Sequence, residues 1–171
     1  MEFISSDTNV WLDFYYTDQL DLPFRLPYKY LMYAETIKSE ILYPPELANE
    51  LLDRGLVPVE ITLEEFQQAE LYSEKYKQLS VHDRIALAIA KCRNIALLTG
   101  DKALRKSAQK EGVHVFGTIG IIDRLRPQGH MSVDELVYCL EHFITEMERN
   151  TAIRLPIKEL LSRLQELKHL K

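Results

Sequence analysis

An α/β fold on a mostly parallel sheet, followed by a wholly helical C-terminal stretch, is predicted by three features of the sequence. Short apolar runs alternate with helix-forming segments, the pattern of βαβ units. The run "IALLT" at 95–99 is apolar enough to be a parallel strand buried on both faces. Three aspartates, Asp7 in "EFISSDTNVW", Asp83 in "LSVHDRIALAIA" and Asp101 in "IALLTGDKAL", each follow or face such a run, where open α/β sheets gather their functional groups.

Taken in order, residues 3–6 form a first strand, "DTN" turns the chain, and the aromatic-rich stretch 10–16 is a short helix. "LDLPFRLP" is a loop. Aromatic enrichment makes 28–34 a second strand, and 35–42 begins a helix that Pro44 and Pro45 stop. "ELANELLDRG" is a helix with Gly55 at its C-terminal position. In "LVPVEI" the alternation of Val57, Val59 and Ile61 marks a strand.

Thr62 with Glu65 is a capping box opening a polar surface helix over 62–78, with Phe66 and Leu71 or Tyr72 turned inward. "RIALAIAKC" is apolar nearly all round, as a helix buried between layers must be. After the strand at 95–99 come an amphipathic helix in "DKALRKSAQKEG", a strand in "VHVFG" and a helix in "TIGIIDRLRPQG" closed by Pro127 and Gly129. Parallel connections of this kind cross over right-handedly. Beyond Gly129 the pattern is helical only, over 132–149 and, after Pro156, 157–170. The expected organisation is a domain at 1–128 and a helical extension at 129–171, packed on the same domain or on a partner. Leu160, Leu161, Leu164, Leu167 and Leu170 form a stripe suited to packing on the chain's own sheet or on a second subunit.

A length of 171 residues suits one compact domain with a small appendage, and 46% hydrophobic with 27% charged residues is the balance of an ordinary globular protein. The net charge of -5 excludes a general basic coating, so a nucleic-acid partner must meet a local positive patch. Cys92 and Cys139 lie in apolar helical patterns without metal-ligand spacing and read as buried, reduced thiols. The start "MEFISSD" lacks the regions of a signal peptide. No apolar stretch approaches the ~20 residues that span a bilayer, so no membrane partner and a cytoplasmic location are expected.

Carboxylates converging at one sheet edge repel unless a cation lies between them. Hard oxygen donors without histidine or cysteine suit Mg²⁺ or Mn²⁺ and argue against zinc. Singly, Asp83 and Asp101 also fit the N-caps of the helices they precede, a role that does not exclude metal binding. A phosphatase of the haloacid-dehalogenase kind is disfavoured because Asn9 stands where its second aspartate belongs, and no G-x-G-x-x-G follows the first strand to suggest a dinucleotide site.

The strand leading to "DTN", the later "VHDRIALAIA" and the strand leading to "LLTGDKALR" together resemble the PIN-domain ribonucleases over residues 3–125. "GTIGIIDRL", "SVDELVYCLEHF" and "RLPIKELLSRL" are similar to the C-terminal part of one bacterial and archaeal subgroup of that family. The resemblance implies a three-layer α/β/α sandwich, a divalent-metal-dependent ribonuclease, an RNA substrate and, for many members, the toxin half of a toxin-antitoxin pair with a cognate antitoxin; a homodimer is a further expectation. It carries the acidic positions, catalytic and metal-binding, onto Asp7, Asp83 and Asp101. The second position falls on Glu40 in "TIKSEIL", with Ile37 three residues earlier, and Glu35, nearer the strand end, competes for it. Asp7 and Asp101 are the expected direct ligands, with Glu40 and Asp83 completing the site directly, through water, or by orienting the nucleophile.

Asn9 and Thr99 correspond to the family's supporting polar residues. His82 stands where the family tolerates many residues. Arg84, Lys102 and Arg105, with Lys106 and Lys110, form a rim able to meet phosphates, or else a solvated helix face. Tyr15 and Tyr16 suit base stacking or core packing, and His114 reads as structural. The alternative reading is a PIN-like module that holds RNA or protein without cutting.

Overall fold

The structure is a computed structural model describing residues 1–127 and 129–170; the expected boundary at Gln128 and the terminal Lys171 lie outside the described residues. Its sheet has five strands, β1 (Glu2–Ser6), β2 (Tyr28–Tyr33), β3 (Val57–Val59), β4 (Ala96–Leu98) and β5 (Val115–Phe116). Their order is β3-β2-β1-β4-β5, and every neighbouring pair is parallel. Ile4 of β1 stands between Tyr30 and Ala96, so the first strand is the middle one. After β3 the chain returns to the far side of β1, and the strand order reverses between β1 and β4. The carboxyl ends of those strands border the crevice where such sheets bind ligands.

Helices fill the connections. α1 (Asn9–Tyr16) follows β1, α2 (Ala34–Glu40) and α3 (Leu47–Arg54) join β2 to β3, and α4 (Leu63–Lys75) and α5 (Val81–Arg93) join β3 to β4. α6 (Lys102–Lys110) joins β4 to β5, and α7 (Thr118–Leu125), α8 (Val133–Arg149) and α9 (Ile157–Lys168) complete the chain. The fold is a three-layer α/β/α sandwich. Contacts group Met1–Val10 with Pro27–Gly117 as one compact unit, and Trp11–Leu26 with Thr118–Lys171 as another. The first unit holds the whole sheet.

In that unit α5 is buried at every position from Ile85 through Ala90 because it packs on β1, β2, β4 and α4. Ser5 donates its hydroxyl to the buried Ala86 carbonyl there at 2.8 Å. Capping boxes start α4 at Thr62 and α5 at Ser80. Gly55 ends α3 at φ 116°, a left-handed conformation that glycine adopts without a Cβ penalty. The inward face of α4 is Glu65, Ala69 and Tyr72, whereas Phe66 is exposed, contrary to the expectation for it. Arg93 draws Glu65 inside through Nε–Oε1 contact at 2.7 Å, and that sets the helix's rotation.

In the second unit Trp11 stacks on Phe24 and Phe14 meets Phe143 edge-on. The segment expected as a plain loop contains a 3-10 turn at Leu22–Arg25. α9 packs on α8 through Leu160, Leu164 and Leu167; Leu161 and Leu170, a quarter-turn or more off that line, are exposed. The leucine stripe is thus narrower than expected, and its partner within the chain is α8. Cys139 is buried and Cys92 half-buried, which corrects the expectation of two buried thiols; both are free. No described helix is long and apolar enough to cross a membrane.

Candidate active site

Asp7 immediately follows β1 and is buried at the switch point. Its Oδ1 accepts the Thr8 N–H at 2.8 Å and its Oδ2 accepts the Thr99 hydroxyl at 2.9 Å. The Thr99 hydroxyl in turn accepts the Asp101 N–H at 3.1 Å, so one threonine ties the ends of β1 and β4 together. Asp101 caps α6, accepting the Leu104 N–H at 2.8 Å. Asp83 occupies the third position of the α5 capping box, exchanging bonds with Ser80 at 3.1 Å. Both aspartates are therefore helix-capping groups as well as members of the acidic set.

Glu40, the last residue of α2, reaches back to Thr8, whose hydroxyl donates to Oε2 at 2.7 Å. Glu35, its competitor, is exposed and stands 3.7 Å from Lys38. Asp7 and Asp83 respond to the acids around them. Burial, and next the charge of Asp83, lift the Asp7 carboxyl to about 6; Thr99 and Thr8 counter the rise by hydrogen bonding, and Glu40 adds to it. The Asp83 carboxyl is also raised, chiefly by burial, with Asp101 and Glu40 contributing. Asp7, Glu40, Asp83 and Asp101 thus share one field at the sheet edge.

Their chemistry fits a hard divalent cation, since every donor is a carboxylate oxygen. Glu40 Oε1, Asp83 Oδ1 and Asp101 Oδ2 take no part in the bonds above, which leaves an oxygen of each for a cation. Among the described residues no three of histidine, cysteine, aspartate and glutamate are grouped to hold a metal ion as they stand.

The comparisons with known proteins bear on this geometry. A family model described as a PIN domain matches residues 3–169. The chain belongs to the PIN-domain family. That membership covers α8 and α9 as well as the sheet, and it gives the chain a nuclease-type fold. Searches of curated proteins and of solved structures returned no match.

The PIN-domain chain distributes the remaining expected residues unevenly. Asn9 opens α1, exposed, and none of the bonds to the four carboxylates involves it. Arg105 is half-buried and donates to the Thr99 carbonyl at 3.3 Å, and Arg84 donates to the Ser80 carbonyl at 3.2 Å. Both arginines buttress backbone beside the acids. Lys102, Lys106 and Lys110 are exposed.

His82 Nδ1 lies 2.7 Å from the Thr36 hydroxyl, linking α5 to α2, and with Asp7 and Tyr33 these residues line a cavity with room for about one water molecule. His114 is exposed with its ring against Phe116; Tyr16 is exposed and meets Tyr15 edge-on. Thr8, Thr36 and Ser80 are set apart by little in the sequence. Only "DTN" and the S-x-x-D spacing of Ser80 and Asp83 offered a signal. A further buried carboxylate, Asp13 of the second unit, accepts the Thr118 hydroxyl at 2.7 Å and is lifted to about 6, chiefly by burial.

Proposed function

We propose that this PIN-domain protein is a ribonuclease that hydrolyses RNA phosphodiester bonds with Mg²⁺ or Mn²⁺ held by Asp7, Glu40, Asp83 and Asp101. The observation that supports the reading is that Asp7, buried at the switch point, is tied through Thr8 to Glu40 and through Thr99 to the backbone of Asp101. A buried acid set against like charges costs stability, and a cation removes that cost. When bound, the ion supplies a water nucleophilic near neutral pH and a clamp on the phosphate. Thr99 keeps Asp7 and Asp101 in register, and Ser80 holds Asp83. Arg84, Lys102 and Arg105 lie on the helices that carry Asp83 and Asp101 and meet the RNA phosphates.

The biological role proposed with this activity is a cytoplasmic toxin paired with a cognate antitoxin, with a homodimer as its free state. Co-expression with the product of a short adjacent gene, followed by size-exclusion chromatography, tests both assemblies. The activity is tested by incubating structured and single-stranded RNAs with Mg²⁺ or Mn²⁺ and the wild type, Asp7→Asn or Asp101→Asn. Cleavage that requires the metal and disappears in both variants supports the reading. The ungrouped spacing of the acids favours one alternative, a PIN module that holds RNA without cutting. RNA retained by wild type and variants alike, without cleavage, selects it.

A further inference from the structure

We infer that Thr8 is a positioning residue that draws Glu40 onto Asp7 and so completes the cation site; the inference rests on the metal reading above. Glu40 ends α2 and its residue is exposed. Left alone, a flexible glutamate at a helix C-terminus turns toward water, because the last carbonyls disfavour negative charge and a fixed rotamer costs entropy. Here it is caught by a hydroxyl at 2.7 Å. Thr8 is itself buried and is oriented through its own N–H, which donates to Asp7 Oδ1 at 2.8 Å. One residue therefore bonds two carboxylates that repel each other.

The sign of that interaction separates function from stability. Two carboxylates held by one residue repel, so the Thr8 bond brings together groups that the metal-free fold gains nothing by pairing. A hydrogen bond spent this way becomes favourable once a cation lies between the two acids. Thr99, on the other side of Asp7, fixes the Asp101 backbone N–H and leaves the Asp101 carboxylate to cap α6. Partners of this kind tune metal affinity by about tenfold or more without touching the ion.

The test is Mn²⁺ titration calorimetry of the full chain as wild type, Thr8→Val, Thr8→Ala, Thr8→Ser, Glu40→Gln, Thr8→Val/Glu40→Gln and Asp7→Asn, with thermal unfolding of each in EDTA. The expected result is about tenfold weaker Mn²⁺ binding for Thr8→Val, near wild-type binding for Thr8→Ser, and a double variant no weaker than Glu40→Gln. Melting in EDTA should be unchanged by Thr8→Val. Wild-type affinity in Thr8→Val and Thr8→Ala, or losses that multiply in the double variant, overturns the inference while leaving the metal site in place. Failure of both Thr8→Val and Thr8→Ala to fold in EDTA also overturns it, by making Thr8 a structural residue. A wild type that takes up no Mn²⁺, with Asp7→Asn indistinguishable from it, overturns the metal reading and this inference together.

Discussion

Asp7 shows how one side chain can be placed against its own preference. Two hydrogen bonds favour its ionised form, yet burial and the charges of Asp83 and Glu40 outweigh them and leave the carboxyl at about 6. An unfolded chain titrates the same group near 3.8. Between those values the native state binds more protons than the unfolded state, so its contribution to stability falls as pH rises and reaches its full penalty above pH 6. A rise of about two pH units corresponds to at most about 3 kcal/mol. Asp7→Asn should therefore stabilise the metal-free protein at pH 7.5 by about 1–3 kcal/mol and make little difference at pH 3.5, as urea unfolding in EDTA will measure. Asp13→Asn carries the same sign, because burial lifts that carboxyl in the same way. Equal effects at both pH values would show that packing, not ionisation, separates the variants.

Among the elements, the helix starts and strand ends do the positioning, and two contacts expose how tightly. Glu65 on α4 is buried, bonded to Arg93 on α5 and to the Thr62 N–H at 3.3 Å. Removing the arginine leaves a buried charge with one weak partner, so Arg93→Ala should cost about 2–4 kcal/mol in denaturant unfolding. Gly117, between β5 and α7, is the second contact. A Cβ there would stand 3.0 Å from both the Thr99 carbonyl oxygen and Arg105 Nη2. The guanidinium can swing aside, but the carbonyl belongs to the strand end that holds Asp7. Gly117→Ala is expected to lose about 1–2 kcal/mol and to weaken Mn²⁺ binding, whereas Gly100→Ala, with open space around it, serves as the neutral control.

At the scale of the whole molecule, a cation that binds only the folded site must raise its stability by mass action. With Mn²⁺ at a hundred times its dissociation constant the gain is about 2.7 kcal/mol, visible as a rise in melting temperature. Asp7→Asn and Asp101→Asn should lose that rise. A rise that survives in both variants would place the cation elsewhere.

Much of this architecture was legible along the chain. From Arg84 to Gly117 each element declares itself: a helix apolar all round, a continuous apolar strand, an amphipathic helix and a further short strand. Local periodicity is enough where each element's burial matches one simple pattern. It was insufficient for α4, where a polar helix with an aromatic offers two plausible faces and a distant arginine chose the one carrying Glu65. Asp7 and Asp101 were readable just past their strands, Asp83, expected at such an end too, instead opens α5, and the family pattern added Glu40. The bond from Thr8 to Glu40 was not readable, since the residues lie 32 positions apart and are joined only by the parallel pairing of β1 with β2. Nor was the grouping of Trp11–Leu26 with Thr118–Lys171, whose Asp13–Thr118 bond spans 105 positions. By itself the sequence determined the kinds of element and many of their caps, because these follow from nearest neighbours in the chain. Tertiary structure alone decided which polar groups meet, because hydrogen bonds and like-charge repulsion act over a few ångströms in space whatever the distance along the backbone.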